Sequence, residues 1–331
     1  MSRRVPVLCA TLGVAAMFAP AAMAQVPPPV PPPAPPAPVP VAGKASISVA
    51  GGLPTKKLRY FARGQRVVVK GSVKPFVAGQ SVTLQIVRRG KVAGRRTAAV
   101  IPGKKGGGRF RVRFKTKRRG LLRLVVKHAA TPQQAAFRAS KRIDVVSWSA
   151  GAGAKGTPVL LMQRALLGLG FAVPVTGYFD DGTARAVTAF RKTNSMGSSG
   201  FASPAVFEKL MRGDGAFKLR YPKAGRHVEF DWSRQVLVLA EKGKPWRTYH
   251  ASSGKPSTPT VFGTFRFYSK TPGTNSHGMV DSNYFIGGYA IHGYASVPTY
   301  PASHGCIRVP IPNARDIFDH VSLGETIYVY T

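Results

Sequence analysis

Apolar and polar residues alternate in short segments between residues 44 and 147, and clusters of Gly, Pro and Lys separate the segments. A period of two with turns between is typical of antiparallel strands that bury one face. We therefore predict an antiparallel β domain over residues 44–147. Its clearest strand alternates apolar with basic side chains, with Phe110, Val112 and Phe114 between Arg109, Arg111, Arg113 and Lys115.

The spacing of apolar residues changes to a helical period between residues 153 and 213. Val159, Met162, Leu166 and Leu169 recur every three or four positions, which places them on one helix face. A second helix is predicted from Thr183 to Arg191 and a third from Pro204 to Met211. These patterns predict a small all-α three-helix module over residues 153–213.

Segments with strand character return between residues 216 and 331, for example at residues 236–239, 263–268 and 326–330. They predict a compact β-rich domain. A chain of 331 residues is also long for one core. We expect a multidomain protein, and the number of strands in its first domain resembles that of an immunoglobulin-like domain.

The first residues have the pattern of a secretory signal peptide, predicted over residues 1–24. Arg3 and Arg4 precede an apolar stretch at residues 5–18, and Ala22-Met23-Ala24 forms a small-residue cleavage site. The alternative is a membrane anchor, but the stretch is shorter than the roughly 20 residues a span needs, and no later segment qualifies. Residues 25–43 consist largely of Pro, Val and Ala, which predicts an extended linker.

The formal net charge is +37, from 49 Lys plus Arg against 12 Asp plus Glu. Residues 44–147 contribute 27 basic residues and one acid, Asp144. A strongly basic protein of the cytoplasm would suggest nucleic acid, whereas an exported one meets acidic cell-wall polymers. We expect anionic cell-wall polymers as partners and no nucleic acid, with solubility alone as the alternative use of the charge.

Candidate chemistry is concentrated around a lone cysteine. The chain contains Cys9 and Cys306, and removal of the signal peptide leaves Cys306 unpaired. An unpaired thiol in an exported protein indicates an intermolecular bridge or a reactive group. His292 and His304 precede Cys306, and a nearby imidazole can take the thiol proton or hold an ion pair. If residues 304–306 are extended, His304 and Cys306 project to the same side.

Other residues near Cys306 are candidates for binding. The backbone amides of Gly305 and Cys306 are predicted to point towards a developing oxyanion. Arg308 suits a carboxylate in a forked pair, or it is a solvated surface residue. Ser303 forms a local hydrogen bond or orients substrate. Each of these residues follows the predicted loop at residues 293–302.

A zinc site is the competing interpretation of the same residues. Its ligands would be His292, His304 and Cys306, with His277 as the candidate for a fourth, because Cys and His are the usual ligands of zinc. No paired Cys spacing is present, and His277 lies in a Gly-flanked turn. We therefore expect no metal site.

The last third of the chain, residues 216–331, resembles the catalytic domain of L,D-transpeptidases. The resemblance rests on residues 290–293, Ala-Ile-His-Gly, followed after a short loop by residues 303–308, Ser-His-Gly-Cys-Ile-Arg. Tyr284 and Phe285 are similar to the family's lead-in, and Tyr284 either lines the substrate cleft or is a core aromatic. The resemblance implies that Cys306 is the nucleophile, without a cofactor. It also implies that His292 is the base, oriented through the carbonyl of Gly293, and that His304 shapes the site.

The helical segment resembles the small three-helix peptidoglycan-binding domain. The matching positions are residues 160–166, residues 177–180, Thr183, Ala186-Val187 and Phe190-Arg191. Arg191 stands where that family is expected to have Gln.

Both resemblances together imply acyl transfer on peptidoglycan stem peptides in the cell wall or periplasm. The acceptor of the acyl group stays open: an amine of a second stem, water, or an amine of a protein. A non-catalytic wall-binding protein with an inert Cys306 is the alternative from another class.

Overall fold

The computed structural model describes residues 39–331. The predicted signal peptide and residues 25–38 of the predicted linker lie outside the described residues. No helix within residues 39–331 combines the length and the apolar character needed to cross a membrane.

The first part of the described chain is a β domain. One of its sheets has the order β1-β4-β8-β7 and the other has the order β2-β3-β10-β9-β5-β6. Its strands are β1 (Lys44–Ala50), β2 (Leu53–Pro54), β3 (Arg59–Ala62), β4 (Arg66–Lys74), β5 (Ser81–Arg88), β6 (Lys91–Ala99), β7 (Ile101–Pro102), β8 (Gly108–Lys115), β9 (Gly120–His128) and β10 (Phe137–Val146).

Apolar side chains from both sheets form one core between them. Val69 of β4, Leu84 of β5 and Leu124 of β9 are fully buried there, and Phe110 and Phe114 of β8 join them. The pairing is antiparallel as predicted, except that β3 and β10 pair in parallel. That exception corrects the purely antiparallel prediction. β3 joins the sheet beside β10, the last strand of the domain, and a pairing between strands so far apart in sequence has no turn that would force it to be antiparallel. The immunoglobulin-like assignment stays a prediction.

The outer face of β8 is a row of basic side chains. Burial alternates strictly along this strand, so the apolar residues face the core and the basic ones face solvent. The neighbouring strand β4 extends the row, because its exposed Lys70 lies opposite Arg111 and its exposed Arg66 lies opposite Lys115. We call these six residues, Arg66, Lys70, Arg109, Arg111, Arg113 and Lys115, the cationic sheet face.

The helical module contains α1 (Thr157–Gly168), α2 (Asp181–Thr193) and α3 (Pro204–Arg212). Asp180 caps α2, since its carboxylate accepts a hydrogen bond from the Thr183 N–H at 2.7 Å. The fully buried Gln163 of α1 ties the α1–α2 connection together. Its Oε1 accepts from the Gly177 N–H at 2.8 Å, and its Nε2 donates to the Tyr178 carbonyl at 2.8 Å.

The helical module shares buried contacts with the β domain. Ala62 of β3 belongs to the core of the helical module, where it is fully buried. The Nε2 of the buried Gln65 donates to the carbonyl of Met211 in α3 at 2.6 Å. The Trp148 ring, between the two modules in sequence, packs against the ring of Phe207.

The helical module also packs on the C-terminal domain, where α2 meets β13. Lys192 of α2 is 6 % exposed, and its Nζ donates to the Ala251 carbonyl at 3.0 Å and lies 2.9 Å from Nδ1 of His250. Burial lowers the pKa of Lys192 to about 7. Burial, reinforced by the charge of Lys192, lowers the pKa of His250 to about 4. The junction thus contains two basic groups that resist protonation.

The C-terminal domain is β-rich, with sheet orders β13-β12-β11-β19-β14 and β15-β16-β17-β18. Ile291, Ile307, Ile317 and Ile327 lie in the core shared by both sheets and by α4. Its elements are β11 (His227–Asp231), β12 (Val236–Glu241), β13 (Lys244–His250), β14 (Gly263–Arg266), β15 (Ser269–Thr274), β16 (Val280–Ile286), β17 (Tyr289–Tyr294), β18 (Ile307–Pro310), α4 (Ile311–His320) and β19 (Thr326–Tyr330).

Candidate active site

The parallel strands β17 and β18 bring the predicted site residues together. His292 is paired with Arg308 in the register of these strands, and Cys306 directly precedes β18. Residues 304–306 form a bend instead of an extended segment. The expectation that His304 and Cys306 share one side of an extended segment is therefore wrong, because Gly305 turns the backbone between them.

A cavity of about 340 Å³ lies where these residues meet. It brings together five of the residues predicted from the sequence and adds residues from the turn between β15 and β16. Tyr284 is not among the lining residues, and its ring lies 6.4 Å from that of Tyr268, which directly precedes β15. The lining residues are His277, Met279, His292, Tyr294, Ser303, His304, Cys306 and Arg308.

His277 is thus close to the other candidate zinc ligands. Within residues 39–331, however, no group of three or more His, Cys, Asp or Glu side chains is arranged to hold a metal ion. His304 is exposed at the cavity rim, and its imidazole makes no hydrogen bond to another described residue.

The Cys306 thiol is partly buried beside the first residues of β17. Its Sγ lies 3.5 Å from the carbonyl oxygen of Gly288, and the backbone N–H of Ala290 also points to it. Burial raises the pKa of Cys306, while the Ala290 N–H and the charge of Arg308 partly offset that effect. The resting thiol is therefore protonated at neutral pH.

The His292 imidazole is held in one tautomer. It is 3 % exposed, and its Nδ1 lies 2.9 Å from the carbonyl oxygen of Gly293. A carbonyl only accepts hydrogen bonds, so Nδ1 carries the proton and Nε2 has a free lone pair. Burial lowers the pKa of His292; the Gly293 carbonyl opposes this shift and Arg308 adds to it. The imidazole is neutral at neutral pH and suited to accept a proton.

Gly293 has a second role, because it allows a close approach between β17 and α4. A Cβ at this position would lie 2.7 Å from the Cβ of Ala314 and 3.1 Å from that of Val280. Any side chain would push α4 away from the strand that carries His292.

Tyr294 connects the basic groups of the cavity. The guanidinium of Arg308 lies over its ring, 4.1 Å from the centroid. The ring of His292 meets the same ring edge to face at 5.7 Å. A cation over an aromatic face is attracted by the ring quadrupole, which fixes the position of Arg308.

Hydrogen bonds from Ser303 hold the bend that carries the thiol. Ser303 is 1 % exposed; its Oγ accepts from the Gly305 N–H at 3.0 Å and its hydroxyl donates to the Cys306 carbonyl at 2.5 Å. The prediction that the Gly305 amide points towards an oxyanion is therefore wrong, because its N–H already donates a hydrogen bond to Oγ of Ser303. The Cys306 N–H makes no hydrogen bond to another residue of the described chain.

Gly305 itself is required by the geometry of the bend. Its φ is +121°, in the region that favours glycine, and a Cβ there would lie 2.5 Å from Cε1 of Tyr289. The backbone must also approach Gly254 closely, since a Cβ on Gly254 would lie 2.9 Å from the Gly305 Cα.

Sequence reasoning missed the segment at residues 252–260, which supports the bend from the other side. The Ser303 N–H donates to the Ser253 carbonyl at 2.9 Å, and the Lys255 N–H donates to the Ser303 carbonyl at 3.0 Å. The buried Thr260 donates its hydroxyl to the Gly305 carbonyl at 2.6 Å. A run of Ser, Gly, Pro and Thr is the only signal of this segment in the sequence, and such runs are typical of ordinary loops.

Comparisons with known proteins match two parts of the chain. Residues 225–329 match the YkuD L,D-transpeptidase catalytic domain, and residues 155–210 match a putative peptidoglycan-binding domain. L,D-transpeptidase 1 of two strains of Mycobacterium tuberculosis is 32 % identical over 123 residues, covering 29 % of this chain and 47 % of the relative. The chain thus spans about half the length of these curated relatives.

A solved structure matches more completely. The crystal structure of the L,D-transpeptidase (residues 123–326) from Xylanimonas cellulosilytica is 31 % identical, covers 56 % of this chain and 98 % of that chain, and has a TM-score of 0.52. These matches agree with the resemblances read from the residues around Cys306 and in the helical module. The chain belongs to the L,D-transpeptidase family.

Proposed function

We propose that this protein cross-links peptidoglycan stem peptides through a thioester on Cys306. One observation carries the proposal: Cys306 and a buried His292 line the same cavity, and the Nδ1–H of His292 is occupied by the Gly293 carbonyl. This leaves Nε2 as the group that can take the thiol proton. A structural histidine with both nitrogens bonded would be unable to do so.

The first half of the reaction forms the acyl-enzyme. As Sγ of Cys306 attacks the carbonyl carbon of the third, diamino-acid residue of a tetrapeptide stem, the thiol proton passes to Nε2 of His292. The C–N bond to the terminal D-Ala then breaks, and the leaving amine takes the proton from His292. Because the pKa of Cys306 is raised and that of His292 lowered, the proton moves during attack and no ion pair is stored beforehand.

The negative charge on the carbonyl oxygen needs a donor, and the free N–H of Cys306 is the group we assign. One such donor is worth about 3 kcal/mol in well-studied enzymes. Gly305 contributes by its conformation, which lets the bend approach Tyr289 and Gly254. Ser303 positions the bend, and His304 at the rim shapes the entrance to the cavity.

In the second half, an amine of another stem attacks the thioester. Its proton passes to Nε2 of His292, the C–S bond breaks, and the thiolate of Cys306 regains a proton from the imidazolium. Arg308, held over Tyr294, is suited to a carboxylate of the donor stem. Tyr284 lies outside the cavity lining, and its contact with substrate stays a prediction.

We assign wall attachment to the two preceding modules and place the protein outside the cytoplasm, in the cell wall or periplasm. The helical module matches a family described as peptidoglycan-binding. The cationic sheet face suits anionic wall polymers, because its six basic residues lie on adjacent strands. Neighbouring strands are about 4.8 Å apart, which is close enough for one polyanion to contact both rows.

Intact mass after incubation with a carbapenem tests the nucleophile. The family resemblance implies that carbapenems acylate such enzymes, so we expect one covalent adduct on the wild type and none on Cys306→Ser, because a hydroxyl beside a neutral imidazole is far less ionised than a thiol. His292→Ala should slow adduct formation more than His304→Ala. An adduct on Cys306→Ser would refute the nucleophile, and the reverse order of the histidine variants would move the base to His304.

Product analysis tests the acceptor. Purified peptidoglycan incubated with the wild type should yield cross-linked stems that Cys306→Ser does not form. Products shortened by D-Ala without cross-links would instead indicate transfer to water, and labelled protein amines in the product would indicate anchoring.

Binding to isolated walls tests the charge. Replacement of the four basic residues of β8 by Gln should weaken binding and its dependence on salt, since exposed charges are screened beyond about 8 Å at physiological ionic strength. A matched control replaces four exposed basic residues elsewhere in the same domain. Equal losses in both variants would indicate a general effect of net charge. The control residues are Lys56, Lys57, Arg118 and Arg119.

A further inference from the structure

A second cavity, of about 350 Å³, adjoins the catalytic cavity and shares Tyr294 with it. One wall is Arg185, on α2 of the helical module. The other wall is formed by the catalytic domain, with His250, Val297 and residues 310–312. The helical module therefore completes a groove that begins at the catalytic cavity.

Arg185 is fixed in this groove with its guanidinium partly free. Its Nε donates to Oδ1 of Asn313 on α4 at 3.2 Å, which sets the plane of the group. Neither Nη1 nor Nη2 donates a hydrogen bond to another residue of the described chain. Two parallel N–H groups on a fixed plane match the two oxygens of a carboxylate.

The remaining lining of the groove offers no competing anion. Ala295, Val297 and residues 310–312 are apolar, and the Nε2 of His250 is bonded to the Val297 carbonyl at 2.9 Å. Such a lining suits the aliphatic backbone and small side chains of a peptide. Arg185 also lines a neighbouring cavity of about 330 Å³ together with Asp180 and Asp316, but neither carboxylate is among the residues that line the groove itself.

The position of the groove relative to His292 indicates which stem it holds. Tyr294 follows His292 by two positions on β17, so both side chains lie on the same face of the strand. An amine that reaches the thioester along the groove passes Tyr294 and arrives beside His292, the group that must take its proton. The donor stem, joined to Cys306, occupies the catalytic cavity.

We propose that the acyl-acceptor stem peptide lies in this interdomain groove and that Arg185 binds one of its carboxylates. The inference rests on the proposed transpeptidation, and it assigns to the helical module a part in acceptor selection in addition to attachment. Arg185 acts as a specificity residue and takes no part in the bond changes at Cys306.

The test separates acceptor binding from acylation. The acyl-enzyme is formed with a tetrapeptide donor and quantified by intact mass, and cross-linked product is then measured with synthetic acceptor stems whose carboxylates are free or amidated one at a time. In the wild type, amidation of the recognised carboxylate should lower kcat/KM for the acceptor by about 10- to 100-fold, the range for a charge-assisted hydrogen bond. Arg185→Ala should lose a similar factor with the free acceptor and nothing further with the amidated one.

Two variants control for structural effects. Asn313→Ala removes the same interdomain hydrogen bond but keeps the guanidinium, so it should still distinguish free from amidated acceptors. Arg164→Ala removes an exposed Arg of α1 outside the groove and should behave as the wild type.

The outcomes are distinct. If Arg185→Ala lowers kcat/KM equally for free and amidated acceptors, Arg185 only supports the domain junction. If kcat/KM does not fall, the acceptor binds elsewhere. Either result overturns the inference and leaves the proposed thioester on Cys306 unaffected. Failure of the wild type to form an acyl-enzyme would overturn the proposed function itself.

Discussion

Ser303 connects the stability of the domain to the reactivity of its thiol, and Ser303→Ala should reduce both. The substitution removes the hydroxyl that accepts from the Gly305 N–H at 3.0 Å and donates to the Cys306 carbonyl at 2.5 Å. Two backbone groups would then lose their partner in a region where Ser303 is 1 % exposed. Each buried unsatisfied group costs about 1–3 kcal/mol, so we expect a loss of about 2–4 kcal/mol in the free energy of unfolding.

Urea unfolding, followed by tryptophan fluorescence, measures the first effect. Because the chain has several modules, midpoints and slopes are compared between variants without assuming a single transition. The rate of carbapenem adduct formation at Cys306 measures the second effect and should fall as the bend loosens. Ser257→Ala is the matched control, since this exposed serine lies in the neighbouring segment and makes no side-chain hydrogen bond within the described residues.

The two measurements also decide between the roles that the sequence leaves open for Ser303. Reduced adduct formation with unchanged stability would mean that the hydroxyl orients the incoming molecule. No change in either quantity would refute the role of Ser303 in holding the bend.

Three further predictions concern ionisation and packing. The adduct-forming rate should fall on acidification with a midpoint below 6.5, the ordinary pKa of histidine, because burial keeps Nε2 of His292 unprotonated; a midpoint above 6.5 would contradict this. Gly293→Ala should lower the urea midpoint by an amount corresponding to about 1–3 kcal/mol, because its Cβ would lie 2.7 Å from that of Ala314, and an unchanged midpoint would show that α4 can move. Stability should rise between pH 7 and pH 10.5, because Lys192 loses its proton near pH 7 in the folded state but only near 10.5 when unfolded. Lys192→Met should flatten that rise in urea titrations, and an unaltered slope would assign it to other groups.

Much of the fold could be predicted because local patterns determine it. The alternation along β8 assigns every side chain of that strand to the core or to solvent, since successive residues of a strand point to opposite faces. Asp180 before Thr183 marks the start of α2 for a similarly local reason, the need to cap free N–H groups. The parallel pairing of β3 with β10 joins residues far apart in sequence, and no local pattern contains that information.

The candidate site divides in the same way. Cys306, His292 and Arg308 could be selected from short motifs, because reactive side chains are few and their spacing is distinctive. The hydrogen bond from the Gly305 N–H to Ser303 could not be predicted from a motif. It depends on a bend whose shape is set by contacts with residues 252–260. In the sequence, nothing distinguishes Arg185 from other Arg residues on helix surfaces. It becomes a candidate for binding only because residues of the catalytic domain line the same cavity.

The shared core between β3 and the helical module has a consequence for avidity. Ala62 and Gln65 of the β domain are buried against the helical module, so the surfaces of these modules keep one spacing and one orientation. Modules on a flexible linker gain from an effective concentration that is set by the linker and tolerates many geometries. If both modules bind the wall as proposed, the gain depends on whether the wall presents its binding groups at the matching spacing, and a wall with another spacing would engage one module at a time.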